Sequence, residues 1–541
     1  MKKLIFLITF LFAIYALNAQ TLEISGNLQG VDGPLIKGMV HVQKSLNGPP
    51  IKSYTVSSDG NFNFKIEGKG IYTLQFTGVS HESLNFPVVN NGDRKSVINV
   101  KLKTYDYKDK LDDVRIIGEF NKFNFDTAVP MKKENDGTFS FEMKTDKQFF
   151  KYQLLGVHKS RSINGTQSDD YEYDNGGDFI SVVKVKDGKV KIVFDPSKLI
   201  KSGKDEMVEF KNANSIDSFL YQLTKQYYNK LNELREKFVA YRSEFEDVKG
   251  FTFDFGDFKT LLENEIKEGK NKLRKKLALL YYAELLNYPV NNIDTSLAVS
   301  VFDEIAPESF LWGLTYGPFI NAVSFYPDKD EYLEKVLKNK FLSDDDKAKI
   351  LAQSFYDAKK AKNEKEAKKI FERLKSEYGN TAITKAIERR FFTDKKIKVG
   401  VKVPSFSVKS LEDSNKVYSD KSLLGKVYLI DFWATWCAPC IMEMKSLHRA
   451  YEKYKDKNFT ILSLSFDLSP KDVQKFRTKK WKMPWLHSFV KGGLSSKLAK
   501  EFEVLGIPKP VLVNEEGKII ATGVDLRGKN LDKTLSKVFG K

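Results

Sequence analysis

Cysteine is almost missing from this chain: there are two in 541 residues. A protein that relied on disulfides for stability would cross-link distant segments, so cross-linking does not hold this fold together. The two that exist, Cys437 and Cys440, lie three apart. A bridge between them closes a tiny loop and removes little chain entropy, so the pair is there for chemistry. Long apolar runs are just as scarce. The one such stretch, Leu4 to Leu17, is interrupted by Thr9 and Tyr15, follows Lys2 and Lys3, and precedes Asn18-Ala19. It falls short of the roughly 20 residues that span a bilayer. Residues 1–19 therefore read as a signal peptide cleaved before Gln20, and the expectation is an exported, periplasmic protein. With no cysteine near residue 19, lipid attachment to a new N-terminal Cys is excluded.

Concentrated basic charge is also missing. The net charge is +18, yet the lysines interleave with Asp and Glu along the whole length. A nucleic-acid binder gathers Lys and Arg in one stripe, so nucleic acid is not an expected partner. With 41% hydrophobic and 30% charged residues the composition is that of a globular protein, which excludes wholesale disorder. The length implies about three to five domains.

The hydrophobic period changes along the chain. Residues 20–105 alternate as half-buried strands do, in Leu22-Glu23-Ile24, Phe62-Asn63-Phe64 and Tyr72-Thr73-Leu74-Gln75-Phe76, with a turn at Asp59-Gly60-Asn61. This predicts a β-sandwich. Residues 111–198 predict a second one, from Val114–Gly118 and the turn-to-strand signal Asp136-Gly137-Thr138-Phe139. In residues 212–395 the period becomes helical, as in Ile216, Phe219, Leu220 and Leu223 or Leu277, Leu280 and Tyr281. Ile350–Tyr356 and Ala367–Leu374 read as one helix pair, short of the three repeats a solenoid needs. Residues 398–541 alternate strands and helices. Strands are predicted at Val427–Ile430, Ile461–Phe466, Val511–Val513 and Lys518–Ile520, the last two joined by the hairpin Asn514-Glu515-Glu516-Gly517. Helices are predicted at Ile441–Tyr454, Pro470–Lys479 and Leu531–Phe539.

The chemistry concentrates in VYLIDFWATWCAPCIMEM, residues 427–444. A strand delivers the chain to Trp436-Cys437-Ala438-Pro439-Cys440, and a helix follows. Cys437 then sits at a helix N-terminus, where unpaired N–H groups and the helix dipole stabilise a thiolate. It is the expected exposed nucleophile, and Cys440, one turn further in, the expected buried resolving thiol. Pro439 suits a first helical turn. The resolving thiol must lose a proton in an apolar place, and two carboxylates are candidates to take it. Asp431 ends an otherwise apolar strand, where a carboxylate is costly unless it has a use. Glu443 lies three residues after Cys440 and shares its helix face, or else is a solvated helix residue.

With those residues in view, residues 398–541 resemble the TlpA/ResA-like thiol–disulfide oxidoreductases of the thioredoxin superfamily. The resemblance rests on Gly425-Lys426-Val427, Phe432-Trp433-Ala434-Thr435-Trp436-Cys437, Pro439-Cys440, Glu443, Gly506-Ile507-Pro508 and Glu516-Gly517-Lys518. It implies a thioredoxin-like α/β domain and a redox disulfide between Cys437 and Cys440. It implies a cis-proline loop at Ile507-Pro508, which with Trp436 meets the substrate chain. It implies disulfide-bonded client proteins and re-reduction by a membrane electron donor, with no cofactor. Glu443 occupies the acidic position of that branch and Asp431 the buried-acid position of thioredoxin itself; this chain carries both. Ala438-Pro439 lacks the His found between the cysteines of strongly oxidising relatives, which favours a reductant. Residues 111–198 resemble early-set sandwich domains that bind glucans, through Gly118-Glu119-Phe120-Asn121, Pro130-Met131, Asp136–Phe139, Phe150–Gln153 and Ser181–Val183. Such domains stack sugars on Trp, and this block has none, only Phe123 and Phe125 near one such place, so glucan is not an expected ligand.

The expected protein is thus multidomain: two β-sandwiches, an α-helical domain and a C-terminal α/β redox domain. Three other readings have less behind them. A peroxiredoxin needs a Pro-x-x-x-Thr/Ser-x-x-Cys approach, and no Pro precedes Cys437 at that spacing. A copper carrier would use Cys437, Cys440, Met442, Met444 and His448 as soft ligands, but Met on an amphipathic helix is ordinarily core and His448 ordinarily surface, so no metal is expected. An envelope-binding scaffold formed by the N-terminal three-quarters would tether the redox domain rather than replace it.

Overall fold

The computed structural model describes residues 20–45, 48–159, 165–245, 250–393 and 395–540. Residues 1–19, expected to be a signal peptide, lie outside the described residues. The chain resolves into two compact units that interleave along the sequence. One comprises the residues up to Asp112, Lys133–Asn229 and Phe255–Ile370; the other comprises Asp113–Lys132, Lys230–Asp254 and Phe371–Lys541.

The first unit begins with two four-stranded sheets. One has the order Met207–Phe210, Arg94–Leu102, Thr21–Gly30, Asn61–Glu67; the other Pro50–Thr55, Met39–Gln43, Gly70–Thr77, Leu84–Asn90. Period-two alternation puts Leu22, Ile24, Phe62, Phe64, Phe76, Phe86 and Ile98 into one core, which Tyr221 of the following helix also enters. The strand Met207–Phe210 pairs antiparallel with Ile98–Lys101, a partnership across more than a hundred residues that local pattern does not announce. A further β region pairs Phe139–Lys144 with Lys189–Phe194, and Phe179–Lys184 with both Phe149–Leu155 and Asp170–Tyr173. Helices follow, among them Gly256–Glu268, Lys272–Glu284 and Asp344–Lys360.

The second unit holds the redox domain. Its elements are β1 (Ser407–Lys409), β2 (Val417–Ser419), β3 (Val427–Trp433), α1 (Ala438–Tyr454), β4 (Phe459–Ser465), α2 (Pro470–Lys479), β5 (Leu486–Phe489), β6 (Lys509–Val513), β7 (Ile519–Thr522) and α3 (Lys529–Phe539). The main sheet has the order β5-β4-β3-β6-β7. The β3–β4 and β4–β5 pairs are parallel; β3–β6 and β6–β7 are antiparallel. All seven residues of the central β3 are buried, as a strand covered on both faces requires. Its Val427, Leu429, Ile430 and Phe432 pack with Leu447, Ile461, Leu464, Val511 and Leu535 into one core. The β6–β7 hairpin turns through Gly517 at φ 76, a left-handed position that glycine takes without strain. β5 is an addition to the expected strands: it is only four residues long and carries His487 and Ser488, polar residues that mask a buried strand. α1 starts three residues before the expected Ile441, because Pro439 fits its first turn. No helix among the described residues is long and apolar enough to cross a membrane.

Candidate active site

β3 delivers the chain to Ala434-Thr435-Trp436, and Cys437 is the N-cap of α1. Cys437 and Cys440 are joined as a disulfide. The Cys440 N–H donates to Cys437 Sγ at 3.1 Å, so the sulfur occupies the place of a capping oxygen at the positive end of the helix. The expected contrast of an exposed and a buried cysteine is not present in this oxidised form. Cys437 is 4% exposed and Cys440 2% with the disulfide formed. Trp436 supplies the exposed surface at 41%.

One residue that holds this loop escaped the sequence reading. Asp467, just past β4, accepts from the Thr435 N–H at 3.1 Å and from Thr435 Oγ1 at 2.6 Å. Ser465 Oγ donates to the other oxygen of Asp467 at 2.8 Å. This buried carboxylate fixes the residue two before Cys437. The available signal was the Ser-x-Asp that ends the strand, Ser465-Phe466-Asp467; its partner, 32 residues away, is not visible locally.

Asp431 sits within β3 at 4% exposure. Ser463 Oγ on the adjacent β4 donates to it at 3.3 Å, and Trp485 Nε1 donates to Ser463 Oγ at 2.9 Å. Burial pushes its carboxyl up to about 7 from the ordinary 3.8. The Ser463 hydrogen bond opposes that rise, and the negative charge of Glu443 adds to it.

Glu443 is not the solvated helix residue considered above. It is buried, with Oε1 accepting from Arg527 Nε at 3.2 Å and Oε2 from the Gly528 N–H at 2.7 Å. Gly528 is the N-cap of α3, so the carboxylate of one helix caps another. Three residues after Cys440 on α1, it ties α1 to Arg527 and to the start of α3.

The Ile507–Pro508 peptide is cis. In the β3–β6 register Phe432 faces Lys509. Pro508 therefore falls one step beyond, level with the end of β3, where the disulfide loop begins. Ile507 and Pro508 are half-buried and Leu505 is 69% exposed.

The residues weighed as soft-metal ligands are placed otherwise. Met444 is core at 0% exposure. His448 is half-buried rather than on the surface, its ring 4.8 Å from that of Trp485 and 5.3 Å from that of Trp481. Among the described residues no group of three or more His, Cys, Asp or Glu side chains is arranged to hold a metal ion. Of the glucan candidates, Phe125 is 47% exposed, and Phe123 is half-buried at φ 53.

The model of the Redoxin family matches residues 398–536. Thiol-disulfide oxidoreductase ResA of Bacillus thuringiensis subsp. konkukian is 30% identical over 151 residues, 28% of this chain and 82% of the relative. ResA of Bacillus anthracis is 33% identical over 131 residues, 24% of this chain and 72% of the relative. The tryparedoxin of Trypanosoma brucei brucei is 38% identical over 104 residues, 19% of this chain and 70% of that protein. Among solved structures, the thioredoxin domain of a Bacteroides vulgatus thiol-disulfide oxidoreductase covers 27% of this chain and 99% of its own, with 29% identity and a TM-score of 0.24.

Proposed function

The chain belongs, through its C-terminal domain, to the ResA-like thiol–disulfide oxidoreductases, and from that premise we propose that it is an exported reductase of client-protein disulfides. The observation that carries this is Cys437 Sγ at the N-cap of α1, accepting the Cys440 N–H. A sulfur so placed is held as thiolate once the pair is reduced. The Cys437 thiolate attacks one sulfur of a client disulfide, forming a mixed disulfide and releasing the other client sulfur as a thiolate that takes a proton from solvent. Cys440 then loses its proton, to Asp431 or Glu443, and attacks Cys437 Sγ. The Cys437–client bond breaks, the second client sulfur leaves as a thiolate that takes a proton from that carboxyl, the client departs as a dithiol, and the Cys437–Cys440 disulfide forms. Two electrons and two protons have passed to the client. A membrane electron donor returns the pair to the dithiol form. Trp436 and the Ile507-Pro508 loop receive the client backbone.

Ala438-Pro439, with no His or charge between the cysteines, favours reduction over oxidation of clients. Export rests on residues 1–19, with Lys2, Lys3 and the apolar Leu4–Leu17 ahead of Ala19. The deciding experiment is the potential of the Cys437/Cys440 couple, equilibrated with glutathione buffers. A value near that of thioredoxin, about −270 mV, supports a reductase, and one near that of a strong oxidant, about −120 mV, reverses the direction.

A further inference from the structure

The turn that follows β4 does more than connect it to α2. Phe466 N–H donates to Trp433 O at 2.8 Å, Asp467 holds Thr435, and Ser469 caps α2 by accepting the Lys471 N–H at 3.2 Å. Residues 466–469 are therefore pinned to the end of β3 and to the loop carrying the disulfide. Leu468, between the two pinned side chains, is 42% exposed. Its carbonyl accepts from Arg115 Nη1 at 2.9 Å, across 353 residues of sequence.

Arg115 is itself fixed. Asp113 accepts from its Nε at 3.1 Å and its Nη2 at 3.0 Å, the forked geometry a guanidinium makes with a carboxylate. The Arg115 side chain is 17% exposed against 51% for Asp113, so the cation is the covered member. Arg115 and Asp113 belong to the segment Asp113–Lys132, which groups with the redox domain in the second compact unit. Within that segment Arg115–Gly118 pairs antiparallel with Val129–Pro130, and Met131 N–H donates to Val114 O at 2.9 Å. The donor to the turn thus stands on a strand of a five-stranded sheet, not on a free loop.

We propose that Arg115 is a positioning residue for the disulfide loop, acting through Leu468 and Asp467 on Thr435 and so on Cys437. This rests on the thiol–disulfide reading of the site and adds to it a contribution from outside residues 398–541. Because Asp113 neutralises Arg115, the effect is one of geometry rather than of long-range charge. Without the Arg115 donor the turn loosens, Asp467 holds Thr435 less firmly, and the N-cap placement of Cys437 that lowers its thiol pKa is less well kept.

The test is alkylation of reduced full-length protein by iodoacetamide between pH 5 and 9, for wild type, Arg115→Met, Arg115→Lys, Asp467→Asn and the double variant Arg115→Met/Asp467→Asn. Arg115→Met should slow Cys437 alkylation at pH 7 on the order of threefold to tenfold, the scale of one lost hydrogen bond, and move its pH profile upward. Arg115→Lys, which keeps one donor, should recover part of the rate. The double variant should be no slower than Asp467→Asn alone, since both act through one turn. A profile for Arg115→Met that superimposes on wild type overturns the proposal, as does full additivity in the double variant. If Arg115→Met does not fold, Arg115→Lys decides, by a profile either displaced from wild type or identical to it. Disulfide turnover by wild type, compared with Cys437→Ser, reports separately on the parent reading: a wild type that alkylates readily but reduces nothing sinks that reading and leaves the Arg115 comparison intact.

Discussion

Asp431→Asn should stabilise the redox domain at alkaline pH and cripple its turnover at the same time. The carboxyl is buried, and burial pushes its pKa up to about 7 from the ordinary 3.8. Below 3.8 it is protonated in both folded and unfolded chains, and burial costs nothing through ionisation. Between 3.8 and about 7 the unfolded carboxyl ionises while the folded one stays neutral, so stability falls as pH rises, by about 1.4 kcal/mol per unit. Above about 7 both forms are ionised and the loss levels off at no more than about 4 kcal/mol. Asparagine keeps the shape and does not titrate. The stability of Asp431→Asn minus that of wild type should therefore grow from acid to alkaline pH by up to that amount. For a domain of this size the corresponding rise in Tm is on the order of 10 °C. Four of the five tryptophans, Trp433, Trp436, Trp481 and Trp485, lie in the redox domain, so tryptophan emission follows its melting within the intact chain. Function should move the other way. A group with a pKa near 7 can accept the Cys440 proton and return it at neutral pH, and losing such a base costs about a hundredfold or more in the step it serves. Stopped-flow mixing with a client disulfide separates first attack from resolution, and only resolution should slow. A Tm difference that stays flat from pH 5 to 8 would refute the burial argument. An unchanged resolution rate would refute the role as proton acceptor and leave Glu443 or water.

Cys437→Ser should abolish insulin-disulfide reduction, while Cys440→Ser should accumulate mixed disulfides through Cys437, detected by mass after acid quench; adducts on Cys440 in the Cys437→Ser protein would invert the assignment. Glu443→Gln removes an anion that Arg527 and the Gly528 N–H both hold, and should cost about 1–3 kcal/mol, read as a lower Tm. Because the Glu443 charge also helps raise the Asp431 pKa, the same variant should move the pH profile of resolution downward; a profile unmoved or shifted upward would disprove the coupling. Asp467→Ala should slow Cys437 alkylation and leave emission from folded protein native-like, since the carboxylate holds the loop rather than the core; an unaltered alkylation rate would show that Thr435 needs no such anchor.

What was legible in the sequence was what period and chain-local chemistry encode. The apolar run of β3 announced a buried strand, and Asp431, its single carboxylate, is buried inside it. Pro439 behind Cys437 announced the start of a helix. The hairpin ending in Gly517 followed from turn chemistry alone. The rest depended on partners that no local pattern names. Glu443 looked equally able to be solvated, because Arg527 and Gly528, which bury it, come more than 80 residues later. Asp467 was overlooked because its role exists only when β4 lies beside β3. His487 hid β5: a histidine in a four-residue run suggests a loop, yet the ring is buried, bonded to Met483 O at 3.0 Å, with its pKa lowered to about 4 by burial. The helix-start pattern predicts an exposed Cys437 and a buried Cys440, but in the disulfide form both are buried.

That bond has a consequence for how the molecule can be handled. It spans three positions in the sequence and, with no other cysteine in the chain, is its sole covalent cross-link. Reducing agents therefore leave the two sheets at the N-terminal end and the helices without any crosslink to lose. On a denaturing gel the oxidised and reduced chains should run at the same apparent size, since opening so small a ring does not change the dimensions of a 541-residue coil. Redox state has to be weighed rather than seen: a thiol-specific mass tag adds either two copies or none, and any band carrying one has been caught in the middle of exchange.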